Sequence, residues 1–283
     1  MPSSPSSDPR SGDPRSGDAI LVADVGNTRI KLAAVVAGDR AGRAGPPALT
    51  RRQDLDSRDF RPANLGRWLE QAAPGPAVLF VASVHDAAAA RLEAAIAELS
   101  ATRHAPLRHR RVGHEHLPLE VAVAEPHRVG IDRLAAAAAA GLLKRPARPA
   151  IVVDCGTAAT VNLVSAAGGF LGGAILPGPS LMAAALAEGT SRLPRLEIAD
   201  RSSPPALPGR STQEAIAAGI GWGLRGAILR LVAEARTAVG GDADVIVTGG
   251  WRAAVLGELP GAIEVEDLVL AGVALAAERA ARG

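Results

Sequence analysis

The stretch Ile151–Gly178, IVVDCGTAATVNLVSAAGGFLGGAILPG, limits this chain more than any other. Its β-branched run Ile151-Val152-Val153 reads as a buried strand that carries Asp154 out at its end. Cys155-Gly156-Thr157 then turns tightly, Ala159–Val164 predicts a second strand, Gly168-Gly169 a turn, and Phe170–Ile175 a third strand. A hairpin with a carboxylate at one lip and small or hydroxyl residues at its apex suits phosphate, because no large Cβ keeps the backbone N–H groups from the anion. The carboxylate can hold a cation beside the phosphates. The pattern recurs near the start: Ala19–Ala23 leads into Asp24-Val25-Gly26-Asn27-Thr28, and Arg29–Val36 continues as a strand. Asp-x-Gly-Asn-Thr and Asp-x-Gly-Thr read as one hairpin written twice. A single copy would be weak, since Asp-Gly turns are common. Two copies predict an internal duplication with a nucleotide between the halves.

The chain has 283 residues, and one domain per roughly 150 residues predicts two domains. Its hydrophobic content of 48% is enough for sizeable cores, but aromatics supply only 2%, so those cores must pack on Leu, Val, Ile and Ala. With 31 Lys and Arg against 29 Asp and Glu, bulk charge argues for no particular partner, nucleic acid included. The single cysteine rules out an intrachain disulfide and fits a reducing cytoplasm. No apolar run is read as approaching the ~20 residues that span a membrane, so no membrane association is expected. MPSSPSSDPRSGDPRSGD lacks an apolar core, so it is not a secretory signal. Its composition predicts a disordered tail over residues 1–18.

Ordered structure is expected from Ala19. Gly38–Pro47 reads as a loop, Leu49–Asp54 as a strand and Arg61–Ala72 as a helix with Leu65, Trp68 and Leu69 inward. Ala77–Val84 is a buried strand, and a helix with Asp86 as its N-cap runs to about Leu99. Arg108–Val112 and Leu119–Val123 are read as further strands, giving a mixed sheet with helices on its faces. His114-Glu115-His116 is read as an extended segment with both imidazoles on one face; no third ligand at zinc spacing accompanies it, so solvated loop histidines are the better reading.

Pro126 marks the crossover into the second half. Val129-Gly130-Ile131-Asp132-Arg133-Leu134 opens an Ala-rich helix to Leu143. Gly130 can approach a ligand, Asp132 lies where the helix dipole keeps a carboxylate ionised, and Arg133 offers a forked donor. Spacing alone reads as well as an acidic N-terminal cap beside a surface arginine. A helix is expected near Leu181–Glu188, a polar Pro-rich loop over Arg195–Arg210, and a long helix from Thr212 to Val239. That helix carries Ile216, Ile220, Leu224, Ile228 and Leu231 on one stripe; Gly219, Gly221, Gly223 and Gly226 predict close packing against another helix or a second subunit. Asp244–Thr248 is a strand ending in Gly249-Gly250, which fits either a backbone lying flat on an adenine or ribose or an ordinary tight turn. A last helix covers Asp267–Ala281. Cys155, beside Asp154, is read as a packing residue and not a nucleophile.

Taken in order, DVGNTRIK (Asp24–Lys31), VGIDR (Val129–Arg133), DCGTAAT (Asp154–Thr160), GGAILPG (Gly172–Gly178), the Ser-Thr pair at Thr212 and TGG (Thr248–Gly250) resemble the type III pantothenate kinases. Each motif is weak alone; the ordered set is specific and spans Ala19 to Ala277. The resemblance implies two similar mixed-sheet α/β domains of the actin-like ATPase, ribonuclease H-like fold with a nucleotide cleft between them. On this reading residues 19–125 form the N-terminal domain, and residues 126–283 the C-terminal domain with the dimer interface. It also implies ATP-dependent phosphorylation of pantothenate at its primary hydroxyl, the first step to coenzyme A.

Residue by residue, the resemblance makes Asp24, Val25, Gly26, Asn27, Thr28, Arg29, Ile30 and Lys31 the holders of the ATP phosphates, with Asp24 helping to place Mg²⁺. It makes Asp132 the proton acceptor. It puts Gly130, Ile131, Asp132 and Arg133 around pantothenate, with Arg133 the partner of its carboxylate. Asp154 becomes the ligand of a monovalent cation, K⁺ or NH₄⁺, and Thr157 a phosphate contact. Thr212 becomes a substrate contact reaching over from the other subunit of a homodimer with shared sites. The chain departs from the family at one place. A tyrosine commonly precedes the Gly-x-Asp-Arg, whereas this chain has none and reads Ala122-Val123-Ala124-Glu125-Pro126 there. Two alternatives stand beside the kinase: a non-catalytic nucleotide-binding regulator on the same fold, and a kinase for another small hydroxy acid.

Overall fold

A computed structural model of the protein describes residues 14–36, 45–198 and 203–282. Most of the expected tail, most of the loop after the first hairpin and part of the Arg195–Arg210 loop lie outside the described residues. The chain divides into two compact units. One comprises Met1–Pro118, Gly130–Asp132 and Leu270–Gly283, and the other comprises Leu119–Val129 and Arg133–Val269.

The first unit is built on a five-stranded sheet from β1 (Ala19–Val25), β2 (Arg29–Val35), β3 (Leu49–Asp56), β4 (Ala77–Ser83) and β5 (Leu107–Arg111), in the order β3-β2-β1-β4-β5. β1 pairs antiparallel with β2 and parallel with β4. Helices α1 (Pro62–Ala72) and α2 (Asp86–Thr102) cover one face, where Leu65, Trp68, Leu69, Leu92 and Ile96 meet Leu21, Ala23, Val25, Ile30, Leu32 and Leu79. The period-2 alternation of β1 and β2 sends those residues to the helices and leaves Asp24 and Lys31, cross-strand partners, on the other face.

The second unit repeats the plan. β6 (Ala150–Cys155), β7 (Ala158–Val164), β8 (Phe170–Pro177), β9 (Asp244–Thr248) and β10 (Ile263–Glu264) are ordered β10-β9-β6-β7-β8. Read from the other edge, this matches the first sheet strand for strand, with β6 in the place of β1 and β9 in that of β4. The pairing senses match as well: β6 is antiparallel to β7 and parallel to β9. The duplication expected from two short hairpins is therefore a duplication of whole sheets. The remaining helices are α3 (Ile131–Leu143), α4 (Pro179–Glu188), α5 (Thr212–Ala238), α6 (Ala253–Leu256) and α7 (Leu268–Arg282). α5 lays Leu224, Ile228, Val232 and Ala235 on the face of the second sheet formed by Ile151, Val153, Ala159 and Val161.

Several expectations change. Leu119–Val123 is not a strand; only Val121 makes an isolated bridge, to Phe170. The pairing is confined to Phe170, whose N–H donates to the carbonyl of Glu120 at 2.7 Å and whose carbonyl accepts from the N–H of Ala122 at 2.9 Å. The N-cap of α2 is His85, whose Nδ1 accepts from the N–H of Ala88 at 3.1 Å, and Asp86 is the first helical residue. His114–His116 is a 3₁₀ turn and not extended, with the N–H of Gly113 donating to His116 Nδ1 at 2.8 Å. Within the expected tail, Asp18 is held: it pairs with Arg108 and accepts from the N–H of Arg15 at 2.6 Å. The stripe of α5 continues through Val232 in place of the half-buried Leu231. α5 is also long and apolar enough to cross a membrane by length and composition, contrary to the sequence reading, which missed apolarity diluted among Ala and Gly. Its Leu224, Ile228 and Val232 belong to the core of the second unit.

Candidate active site

In the first unit the loop Gly26–Thr28 joins β1 to β2, closed by the N–H of Gly26 donating to the carbonyl of Arg29 at 3.0 Å. Asn27, Thr28 and Arg29 are exposed, while Asp24, Gly26 and Lys31 are half-buried. Val25 and Ile30 are fully buried in the core, so any ligand would meet only their backbone. The side chain of Arg29 turns to Asp54 at 3.0 Å, an exposed ion pair at the lip. Ser57, which the sequence did not single out, braces the loop from below. Its hydroxyl donates to the carbonyl of Gly26 at 2.8 Å and its N–H to that of Thr28 at 3.1 Å, and it is fully buried. Arg91 donates to the carbonyl of Ser57.

The same end of this unit receives Gly130–Asp132. The N–H of Val84, just past β4, donates to the carbonyl of Val25 at 3.1 Å, and Gly130 lies against Val84. A side chain at Gly130 would run into the carboxylate of Asp132. Asp132 occupies the first turn of α3, where the helix dipole favours an acidic side chain. These residues gather beyond the carboxyl ends of the parallel strands β1 and β4, where open α/β sheets present ligand sites.

In the second unit Gly156-Thr157 joins β6 to β7, with the N–H of Gly156 donating to the carbonyl of Ala158 at 3.1 Å. This loop is one residue shorter than its counterpart. Gly178 grips it from one side, its N–H donating to the carbonyl of Thr157 at 3.0 Å. Gly249, at φ +91, closes from the other, and a Cβ there would collide with Asp154 Oδ1 and with the carbonyl of Cys155. Asp154 and Thr160 are cross-strand partners on one face of the sheet, and Asn162 follows Thr160 on that face.

Arg133 reaches this row. Its Nε and Nη2 donate to Asn162 Oδ1 at 2.8 and 2.7 Å, and its guanidinium lies 5.4 Å from the ring centre of the buried Phe170. Asn162 Nδ2 donates in turn to Thr160 Oγ1 at 2.9 Å. Thr212 begins α5 and is exposed. It lines an apolar concavity of about 670 Å³ with Met182, Leu186, Ala215, Ile216 and Gly219. Ser211 caps the helix, its hydroxyl accepting from the N–H of Glu214 at 3.2 Å. Cys155 is buried, and burial followed by the charge of Asp154 pushes its thiol up to about 12, so it has no nucleophilic role. Among the described residues no group of three His, Cys, Asp or Glu side chains forms a metal cage.

A family model described as Type III pantothenate kinase matches residues 20–234. A type III pantothenate kinase of Rhodopirellula baltica is 36% identical over 264 residues, covering 87% of this chain and 94% of that protein. One of Chlorobaculum parvum is 34% identical over 265 residues, covering 90% and 92%. This chain belongs to the type III pantothenate kinase family.

Solved structures agree on the fold. A protein named as a Baf-family transcriptional activator from Campylobacter jejuni superposes at a TM-score of 0.53 with 19% identity, covering 89% of this chain and 94% of its own. One named as a 2-dehydro-3-deoxygalactonokinase from Sinorhizobium meliloti gives a TM-score of 0.53 with 16% identity, covering 92% and 96%. The actin-like α/β fold expected from the resemblance is thus the fold of this family member. Where the family commonly carries a tyrosine, Val123 packs beside Gly172, and the N–H of Ala122 donates to the carbonyl of Phe170 at 2.9 Å. The sequence reading missed Ser57, Asn162 and Phe170. Two polar residues two apart in an apolar strand, Thr160 and Asn162, were the available signal for one of them.

Proposed function

We propose that this protein transfers the γ-phosphoryl group of ATP to the primary hydroxyl of pantothenate, giving 4′-phosphopantothenate and ADP. The observation that carries the reading is family membership along almost the whole chain, with every motif of the resemblance present in order. Phosphoryl transfer asks little covalent chemistry of a protein. It asks for an in-line hydroxyl, a carboxylate to accept its proton and compensation of phosphate charge. Asp132 takes the hydroxyl proton as the oxygen bonds to the γ-phosphorus and the bond to the ADP oxygen breaks. The Gly26–Thr28 loop, through the backbone N–H groups of Asn27 and Thr28, holds the phosphates with Lys31, and Thr157 contributes a hydroxyl to phosphate. Arg133 pairs with the pantothenate carboxylate, and Gly130 lets the acceptor approach Asp132 closely.

Asp24 would hold Mg²⁺ and Asp154 a monovalent cation, K⁺ or NH₄⁺. Both are hard carboxylate oxygens, and Mg²⁺ in phosphate-transfer sites is commonly held by one or two carboxylates plus the phosphates, so three-acid cages are not required. Such cations supply positive charge that offsets the developing phosphate charge. The lone buried cysteine supports a cytoplasmic setting. The protein acts as a homodimer with shared sites, a reading supported by Gly219, Gly223 and Gly226, which among the described residues have no neighbour within 4 Å of a would-be Cβ, and by exposed Thr212 at the head of their helix. Gly221 instead meets Pro205 of its own chain.

The test is ATP consumption by the purified protein with single acceptors. Pantothenate is expected to be used well above other small hydroxy acids, with activity in K⁺ or NH₄⁺ salts exceeding that in Na⁺ at matched ionic strength. Preference for a different hydroxy acid would overturn the choice of acceptor, and equal rates in all three salts would overturn the role of Asp154.

A further inference from the structure

The part-buried contact between Arg133 and Asn162 joins a cation to a neutral group. Asn162 is 1% exposed and lies in the middle of β7. Arginine only donates, so the two bonds at 2.8 and 2.7 Å fix Oδ1 of Asn162 as the acceptor. That leaves the amide nitrogen pointing at Thr160 Oγ1, 2.9 Å away. The chain Thr160–Asn162–Arg133 therefore sets the tilt of the guanidinium, and the face of Phe170 sets its height. A carboxylate of the same size at position 162 could accept the same two bonds, yet it would add a negative charge against the guanidinium. An amide orients the fork and adds none.

We propose that Asn162 is the positioning residue that makes the acceptor site selective for an acid: it aims the Arg133 guanidinium through two hydrogen bonds while contributing no countercharge. This rests on the reading of Arg133 as the partner of the substrate carboxylate. The consequence is a specificity effect. An added charge at 162 weakens the attraction for an anionic acceptor and leaves a neutral acceptor of the same shape unaffected.

The experiment compares kcat/KM for pantothenate with that for its neutral primary amide, which keeps the reacting hydroxyl and loses the carboxylate. It uses the full chain as wild type, Asn162→Asp, Thr160→Val and Arg133→Gln. The wild type prefers the acid. Asn162→Asp lowers that preference about tenfold or more, through KM for the acid, while KM for ATP stays put. Thr160→Val, which frees the amide to turn, lowers it in the same direction by roughly threefold. A folded Asn162→Asp protein with wild-type preference overturns the inference. If that variant does not fold, an unchanged preference in Thr160→Val overturns it instead. Arg133→Gln separates the two layers. Loss of preference there, with none in the Asn162 and Thr160 variants, sinks the positioning role alone. Full preference without the guanidinium sinks the assignment of Arg133 and this inference with it.

Discussion

At the scale of residues, the proposed mechanism places its largest demand on Asp132. It stands in the first turn of α3, where the helix dipole favours an acidic side chain, and a side chain at Gly130 would run into its carboxylate. Asp132→Asn preserves size but replaces a carboxylate oxygen by an NH2 donor and so removes the proton acceptor. Turnover should fall by ~10²-fold or more while ATP binding persists. Near-wild-type turnover of the purified variant would remove Asp132 from the mechanism. Asp132, Arg133 and both hairpin aspartates could be singled out as candidates because each sits in a short motif whose chemistry is local. Ser57 was not, because the carbonyl that its hydroxyl engages belongs to Gly26, far back along the chain. A serine after an exposed strand carries no mark of the loop it will brace. Asn162 left a fainter trace, as an amide on the buried side of a strand, and only the position of Arg133 gives it a purpose.

At the scale of elements, the sequence resolved the strands around each Asp-x-Gly hairpin and nearly all helices, because buried β-branched runs and glycine turns report local structure. It took the two hairpins as identical, whereas the second is a residue shorter and is clamped by Gly178 and Gly249. Those clamps come from β8 and β9, and no local pattern announces which turn a distant glycine will press against. Gly249 makes the clamp testable. Its φ of +91 disfavours any L side chain, and a Cβ would also strike Asp154 Oδ1. Gly241, at φ +109 with nothing within 4 Å, shares the backbone strain without the collision. Gly241→Ala should cost about 1–2 kcal/mol of stability. Gly249→Ala should cost more than Gly241→Ala by denaturant unfolding, because displacement of Asp154 or of the β6–β7 loop adds to it. Equal losses would mean that the close approach at Gly249 has no energetic weight. Leu119–Val123 failed as a strand for the complementary reason: alternation shows which face could be buried, not how far a segment follows its neighbour, and here Val121 bridges the edge strand β8 only at Phe170.

At the scale of the whole molecule, the matched strand orders of the two sheets explain why a short motif seen twice could forecast the architecture. The assembly is a separate matter. Each glycine within α5 costs about 1 kcal/mol relative to alanine. Among the described residues, a Cβ at Gly219, Gly223 or Gly226 would meet nothing within 4 Å. In the proposed dimer a second copy packs against this helix and Thr212 stands at a shared site. Mixing inactive Asp132→Asn with inactive Thr212→Val protein and allowing exchange should therefore restore activity, since each heterodimer carries one intact site. Fully exchanged, folded mixtures that stay inactive would reject the shared site.

The central claim is met most directly by identifying the product. The purified protein is incubated with ATP, Mg²⁺, K⁺ and pantothenate as the sole acceptor, and the mixture is resolved by mass spectrometry and phosphorus NMR. The account predicts one pantothenate phosphomonoester, at the primary hydroxyl, for each ADP formed. ADP appearing while pantothenate remains unmodified, or no ADP from folded protein under these conditions, would contradict it.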